Sequence, residues 1–247
     1  MKALILAAGY AHRLYPLTLN FPKALLDVAG KPILDRILDE IDQVDSIDEI
    51  VVISNSRFIK HFDEWARSRV LPGQKPVVLL DDGTETEDNR LGAIGDMNFA
   101  IKELGIDEDV LVVAGDNLFT YDLPKIVADY ESHGQDMILG QELGEEEDPK
   151  RFAIAVMDES GKLLDLEEKP NEPKSNIAIY ASYFYRRDTL PMIETYLNEG
   201  NNPDSPGNFP VWLYKRKPVQ VYLFEGDCYD IGTHESYARV QEIFSGQ

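Results

Sequence analysis

Residues 1–135 alternate short apolar runs with amphipathic stretches, and that rhythm leaves few architectures open. A short apolar run buries a strand, whereas apolar residues three and four apart bury one side of a helix. Repeating the two in turn builds βαβ units around a parallel sheet. Residues 2–8 read as a buried strand, and residues 31–44 as a helix with Ile33, Leu34, Ile37, Leu38 and Ile41 on one face. Residues 49–54 form a strand, 57–69 a helix with Ser56 as N-cap, 77–80 a strand and 92–104 a helix. Residues 109–114 are a further buried strand, and 123–133 close this half as a helix.

From residue 137 the texture shifts to longer strands joined by turns. Residues 152–158 and 163–168, across Glu159-Ser160-Gly161, read as a hairpin. Residues 177–186 are a strand rich in aromatic residues, a candidate for partial burial between subunits of a homo-oligomer. Residues 189–197 and 210–215 read as helices, 219–224 as a strand and 233–244 as a final helix. The Pro, Gly and Asn of residues 201–208 predict a loop that orders on ligand binding, and the acidic run 145–148 a solvated loop. The expected fold is α/β: one domain over residues 1–247 with a mixed, mostly parallel central sheet. Residues 1–135 are its Rossmann-like nucleotide-binding half, and 136–247 its acceptor-binding half with a capping helix.

The 247 residues carry a net charge of −21, which argues against nucleic acid or an anionic membrane as partner, since both need a basic footprint. An acidic chain binds a triphosphate only through a local positive island. The first 34 residues supply one, with Lys2, Arg13, Lys23 and Lys31 against Asp27. The lone Cys228 cannot form an internal disulfide, which points to a reducing, cytoplasmic setting and a packed thiol. No apolar run approaches the ~20 residues that span a bilayer, and the start flows into a strand pattern without signal-peptide organisation.

Four segments carry chemistry. In the first, Leu6-Ala7-Ala8-Gly9-Tyr10-Ala11-His12-Arg13, a buried strand ends in small residues and turns at Gly9. Exposed backbone N–H groups in such a turn hold phosphate oxygens, because small side chains permit close approach. Arg13 adds a fork and Lys23 a point charge where a triphosphate would lie. One glycine is too few for a dinucleotide fingerprint, and no Gly-Lys-Ser/Thr follows to make a Walker loop. In the second, Leu111 to Phe119, an apolar strand delivers Asp116 at its C-terminal end, where open α/β sheets bind ligands. Gly115-Asp116-Asn117 is equally good turn chemistry. The third, Asp165 to Pro170, sets Glu168 and Lys169 at a strand end, a pattern that by itself reads as a solvated hairpin edge. The fourth, Phe224 to Thr233, contains Asp227 and Asp230 before a helix for which Thr233 is a natural N-cap.

The block from Leu6 to Thr18, followed by Pro22-Lys23-Ala24-Leu25-Leu26, resembles the signature of the sugar nucleotidyltransferases, or nucleotide-sugar pyrophosphorylases. Within that family it resembles glucose-1-phosphate thymidylyltransferase-like enzymes without a C-terminal β-helix. The resemblance implies a GT-A-like nucleotidyltransferase fold. It also implies an enzyme that condenses a nucleoside triphosphate with a sugar 1-phosphate or similar small phosphorylated acceptor, releasing pyrophosphate. Two departures are Ala11 in place of the second Gly, small enough to keep the turn at negative φ, and His12 in place of Thr or Ser.

By the same resemblance, Leu6, Ala8, Gly9, Tyr10, Ala11, His12, Arg13, Lys23, Gly92 and Asp116 contact the nucleotide. Asn117, Ala153, Glu168, Lys169, Asn176 and Tyr180 contact the acceptor, and Asp116 with Asp230 hold Mg²⁺. Arg13, Lys23 and Lys169 form the catalytic set. Arg13 serves the β/γ-phosphates, Lys23 the region of the α-phosphate and Lys169 the acceptor phosphate. Arg151-Phe152-Ala153 and Tyr180-Ala181 depart from the family's Tyr-Gly and Thr-Gly pairs, and the segment from Asp81 to Ala93 lacks the usual base-reading Gln. Base and acceptor are therefore open. A GT-A-type glycosyltransferase shares the architecture and the metal aspartate but has no need of the loop from Gly9 to Lys23. A catalytically silent regulatory subunit has no need to keep all five charged residues. The expectation is that Arg13, Lys23, Lys169, Asp116 and Asp230 converge on one cleft.

Overall fold

The computed structural model describes residues 1–69, 73–144 and 146–246. In chain order the elements are β1 (Lys2–Leu6), β2 (Asp27–Val28), β3 (Lys31–Pro32), α1 (Ile33–Asp42), β4 (Glu49–Ser54), α2 (Ile59–Ser68), β5 (Val77–Asp81), α3 (Ala93–Glu103), β6 (Val110–Ala114) and β7 (Asn117–Phe119). They continue with α4 (Leu123–His133), β8 (Asp136–Glu142), β9 (Ala153–Met157), β10 (Leu163–Glu168), β11 (Ile177–Tyr185), α5 (Leu190–Asn198), α6 (Asn208–Leu213), β12 (Val219–Leu223), β13 (Cys228–Asp230) and α7 (His234–Ser245). The chain divides into two compact units. Unit 1 comprises residues 1–91, 113–124 and 226–247; unit 2 comprises 92–112 and 125–225. Glu145, in the predicted acidic loop, lies outside the described residues.

Unit 1 is built on parallel strands. β1 pairs with β4 from Lys2↔Glu49 to Leu6↔Ile53, and β4 with β5 from Ile50↔Val77 to Ser54↔Asp81. Ala3, Leu4, Ile5 and Ile50–Ile53 are fully buried, as expected of strands covered on both faces. Helix α1 buries the predicted stripe of Ile33, Leu34, Ile37, Leu38 and Ile41. It is shorter than its periodicity suggested, because Lys31 and Pro32 pair with Asp27 and Val28 in a two-stranded ribbon. Helix α2 begins at Ile59, and Ser56 does not cap it. Asn55 Oδ1 instead accepts the N–H of Phe58, while the Ser56 hydroxyl donates to Asp81. Thr233 does cap α7, its Oγ1 accepting from the Ser236 N–H.

Unit 2 is largely antiparallel. The hairpin β9–β10 pairs Ala153 with Glu168, β11 pairs with both β9 and β8, and β12 joins β8 in parallel from Val219↔Asp136. On β11, Tyr183, Phe184 and Tyr185 are all buried within the chain. These three rings are interior packing, while Tyr180 and Ala181 on the same strand are only half-buried. Within the loop 201–208, Pro203 O and Asp204 O accept the first N–H groups of α3, and Tyr196 Oη donates to Asn202 O. Among the described residues, no helix is long and apolar enough to cross a membrane.

Asp136, at the start of β8, is fully buried. Its carboxylate accepts from the Arg186 N–H at 2.7 Å and the Thr189 hydroxyl at 2.7–2.8 Å, and lies 3.0 Å from Lys217 Nζ. Burial pushes its carboxyl upward, against the pull of those donors. Removing the carboxylate leaves the Arg186 N–H and the buried Thr189 hydroxyl without their acceptor, and Lys217 with exposed Asp188 as its remaining counter-charge. Asp136→Ala is expected to cost ~3–5 kcal/mol, read as a lowered urea midpoint with an unchanged m-value. A loss under ~1 kcal/mol would mean that the network is hydrated and replaceable.

Candidate functional site

Unit 1 carries the densest set of predicted residues. After β1 the chain is held by Ala7 N–H on Ile53 O (2.9 Å) and by Asn55 Nδ2 on Ala8 O (2.8 Å). Gly9 is exposed, and the space on its Cβ side is open for at least 4 Å. Tyr10 turns inward, its hydroxyl 3.4 Å from Thr84 Oγ1. The turn itself differs from expectation, since Ala11 takes φ +49, ψ +45. The left-handed form lets Ala11 O accept from both the Leu14 N–H (3.0 Å) and the Thr18 hydroxyl (2.8 Å), closing the loop.

An L-residue in that region costs ~1–2 kcal/mol, whereas glycine at the same place costs ~0.4–1 kcal/mol through the unfolded chain. Ala11→Gly is therefore expected to leave stability unchanged or raise it by up to ~1 kcal/mol in urea unfolding. A clear loss would show that the alanine methyl packs productively.

The positive island contracts. Lys2 pairs with Glu49 (2.9 Å) and Asp48 (3.8 Å), and Lys31 with Asp39, so neither serves the turn. Lys23 follows Pro22 in a single helical turn, and its Nζ lies 2.5 Å from Asp116 Oδ2. Asp116 follows Gly115, whose N–H donates to Leu6 O (2.9 Å), so the aspartate stands directly beside the end of β1.

A short ribbon brings the second acid to the first. β13 pairs antiparallel with β7, Asp230 opposite Asn117, and the Ile231 N–H donates to Asp116 O (3.1 Å). Buried Gly232 lies under two side chains, for a Cβ there would stand 3.1 Å from Arg13 Nη2 and 3.2 Å from Asp230 Oδ2. Arg13, Lys23, Asp116 and Asp230 are thereby joined through contacts internal to unit 1. Desolvation, with Asp230, Asp116 and Asp227 close by, pushes the Cys228 thiol up and keeps it an unreactive neutral group. Helix α7 holds this corner. His234 Nε2 meets Tyr15 O at 2.7 Å, and Tyr237 and Gln241 both donate to Asp27 O.

The donor set suits a hard cation. Among the described residues there is no cluster of three or more His, Cys, Asp or Glu that could hold a metal. Two carboxylates on backbone-paired segments, Asp116 and Asp230, are a donor set of the kind that suits Mg²⁺, which fills its remaining positions with water and phosphate oxygens.

His12, which stands where the family has Thr or Ser, places its Nδ1 2.8 Å from Glu87 Oε2, and its ring sits edge-on to Tyr15 at 5.0 Å. The pair ties the Gly9 turn to the 84–90 segment. Gly92, offered as a base-facing glycine, takes φ +79, and a Cβ there would stand 2.7 Å from the Pro203 carbonyl. Its bareness is thus accounted for by chain packing inside unit 2.

Unit 2 gathers the predicted acceptor residues, apart from Asn117, which is buried on β7 in unit 1. Ala153 lies opposite both Glu168 and Ile179 across neighbouring strands. Lys169 takes φ +47, its N–H donating to Phe152 O (3.0 Å) and its exposed Nζ 3.6 Å from Glu168 Oε1. Tyr180 packs between Phe152 and Phe224, and exposed Asn176 contributes its backbone oxygen to Leu143 N–H. One neighbour of Glu168 went unpredicted. Tyr183 is buried with its hydroxyl pushed up by desolvation and by the Glu168 charge. Its place in an alternating aromatic strand gave no polar signal.

Known proteins resemble this chain along most of its length. The family model for nucleotidyl transferases matches residues 2–245. A Sulfolobus acidocaldarius protein assigned as a mannose-1-phosphate guanyltransferase is 31% identical over 242 residues, 97% of this chain and 62% of that protein. A glucose-1-phosphate adenylyltransferase of Desulfitobacterium hafniense is 27% identical over 252 residues, 95% of this chain and 62% of that protein. This chain thus spans about three fifths of the length of both. A solved Bacillus anthracis structure, assigned as a glucose-1-phosphate thymidylyltransferase and holding sucrose, matches with a TM-score of 0.80 at 25% identity, covering 100% of this chain and 96% of that one. Its likeness extends to the mixed α/β class and the mostly parallel central sheet. With the family model matched over residues 2–245, the chain belongs to the nucleotidyl transferase family.

Proposed function

We infer that the chain joins a nucleoside triphosphate to a sugar 1-phosphate, yielding a nucleotide sugar and pyrophosphate. The observation that carries this reading is the meeting of Arg13, Lys23, Asp116 and Asp230 at the end of β1, in a molecule of net charge −21. The difficulty of the reaction is repulsion between two polyanions, and cations fixed in advance remove it. The turn from Ala8 to His12, exposed at Gly9 and His12, cradles phosphate oxygens. Arg13 takes the β/γ-phosphates and Lys23 the region of the α-phosphate. Glu168 accepts from acceptor hydroxyls, and Lys169 draws the acceptor phosphate. Asp116 and Asp230 are the groups that would hold Mg²⁺, which neutralises charge on the triphosphate when bound.

The names of the relatives support a sugar-phosphate acceptor and leave the base open, since they span guanylyl, adenylyl and thymidylyl transfer. The lone cysteine favours a reducing, cytoplasmic setting. A glycosyltransferase would make no use of the paired Arg13 and Lys23, because its donor carries no departing pyrophosphate. A grid of four nucleoside triphosphates against a panel of sugar 1-phosphates, with and without Mg²⁺, tests the reading. The expected result is pyrophosphate release for a few Mg²⁺-dependent pairs. Release from none, or transfer only from a preformed nucleotide sugar, overturns it.

A further inference from the structure

We propose that in the nucleotide-free chain Lys23 occupies Asp116 in place of a divalent cation, so that the metal enters with the triphosphate and not ahead of it. The inference rests on the function proposed above, which makes Asp116 a metal ligand. Lys23 Nζ lies 2.5 Å from Asp116 Oδ2, with the lysine side chain 14% exposed and the aspartate 32%. A charge-assisted contact at that distance, partly shielded from water, competes directly with a cation for the same oxygen. With Asp116 Oδ2 taken by Lys23, no cluster of three or more ligating side chains offers itself to a metal among the described residues. So sparse a donor set is a poor Mg²⁺ site without phosphate oxygens to complete it.

The backbone on both sides of the pair is fixed. The Leu25 and Leu26 N–H groups donate to Pro22 O and Lys23 O, and Leu26 O accepts from Ile33. Asp116 is held by the Gly115 and Ile231 hydrogen bonds already described. Rotation of the lysine stem alone therefore breaks the contact. An arriving triphosphate offers Lys23 a stronger anion, and the same movement uncovers Asp116 for the metal that accompanies the phosphates. Asp116 thus stays neutralised beside Asp230 and Asp227 in the free enzyme, and the site is not filled by metal alone.

The test is Mn²⁺ binding to the whole chain without nucleotide, followed by electron paramagnetic resonance of the free ion, for wild type, Lys23→Met, Lys23→Gln and the Lys23→Met/Asp116→Asn double variant. The two single variants are expected to bind Mn²⁺ about 10-fold to 100-fold more tightly than wild type, the range a charge-assisted hydrogen bond supplies. The double variant is expected to lose that gain. Using both Met and Gln guards against one of them disturbing the fold. Unchanged affinity in both folded single variants, or a gain that survives Asp116→Asn, overturns the proposal. The pyrophosphate grid reports separately on the reaction. Tighter Mn²⁺ binding with a silent grid upholds the lysine contact and sinks the transfer reading, and the reverse pattern sinks the contact alone.

Discussion

Asp116→Asn is expected to lower pyrophosphate release by about 10²–10³ while leaving the fold intact, the loss typical of one preorganised charge at a reacting centre. The substitution keeps the size of the side chain and removes its charge. The main-chain bonds that fix the residue, Gly115 N–H to Leu6 O and Ile231 N–H to Asp116 O, do not involve the carboxylate. Urea unfolding should therefore shift little, and near-wild-type turnover would remove Asp116 from the mechanism. Asp227 is the internal control, an aspartate three residues from Asp230. Its backbone is pinned to Thr120 through Asp227 N–H on Thr120 Oγ1 (2.9 Å) and Thr120 N–H on Asp227 O (3.0 Å). Asp227→Asn should stay within a few-fold of wild type, and a loss as deep as that of Asp116→Asn would reassign the second acid.

The parts of this fold that were legible in the sequence are those decided by local pattern. Strand β4 and helix α4 fall on the predicted bounds, because an apolar run and an apolar stripe each select one backbone form. Thr233 was recognised as a cap for the same reason, its partner being three residues away. The illegible parts depend on remote partners. Strands β7 and β13 hold three residues each, too few for any periodicity, and they exist because they pair with one another across more than a hundred positions. That ribbon is what sets Asp230 beside Asp116, so the motifs named both acids without revealing how they meet. Likewise the sequence offered Lys2 and Lys31 as equals of Arg13 and Lys23. Only the fold assigns the first two to Glu49 and Asp39. The sign of φ at Ala11 was misjudged because a small side chain tolerates either hand when the surrounding bonds, here from Leu14 and Thr18, select one.

Lys169→Met should separate the two substrates kinetically. The residue sits at φ +47, a conformation that an L-residue keeps only where its surroundings over-determine it, here through the N–H bond to Phe152 O. Methionine retains the Cβ and the length of the stem, so it tests the charge without relaxing that backbone. The Lys169 side chain is 63% exposed and its Nζ meets Glu168 only at 3.6 Å, a loose pairing that an incoming phosphate readily outcompetes. With the cation gone, kcat/KM for the sugar phosphate is expected to fall by about 10²–10³. KM for the triphosphate should move less than a few-fold, since Arg13 and Lys23 remain. A parallel rise in the triphosphate KM would mean that Lys169 serves the nucleotide instead. An unchanged kcat/KM would mean that its strained backbone exists to aim Glu168, and that the acceptor phosphate finds its counter-charge elsewhere.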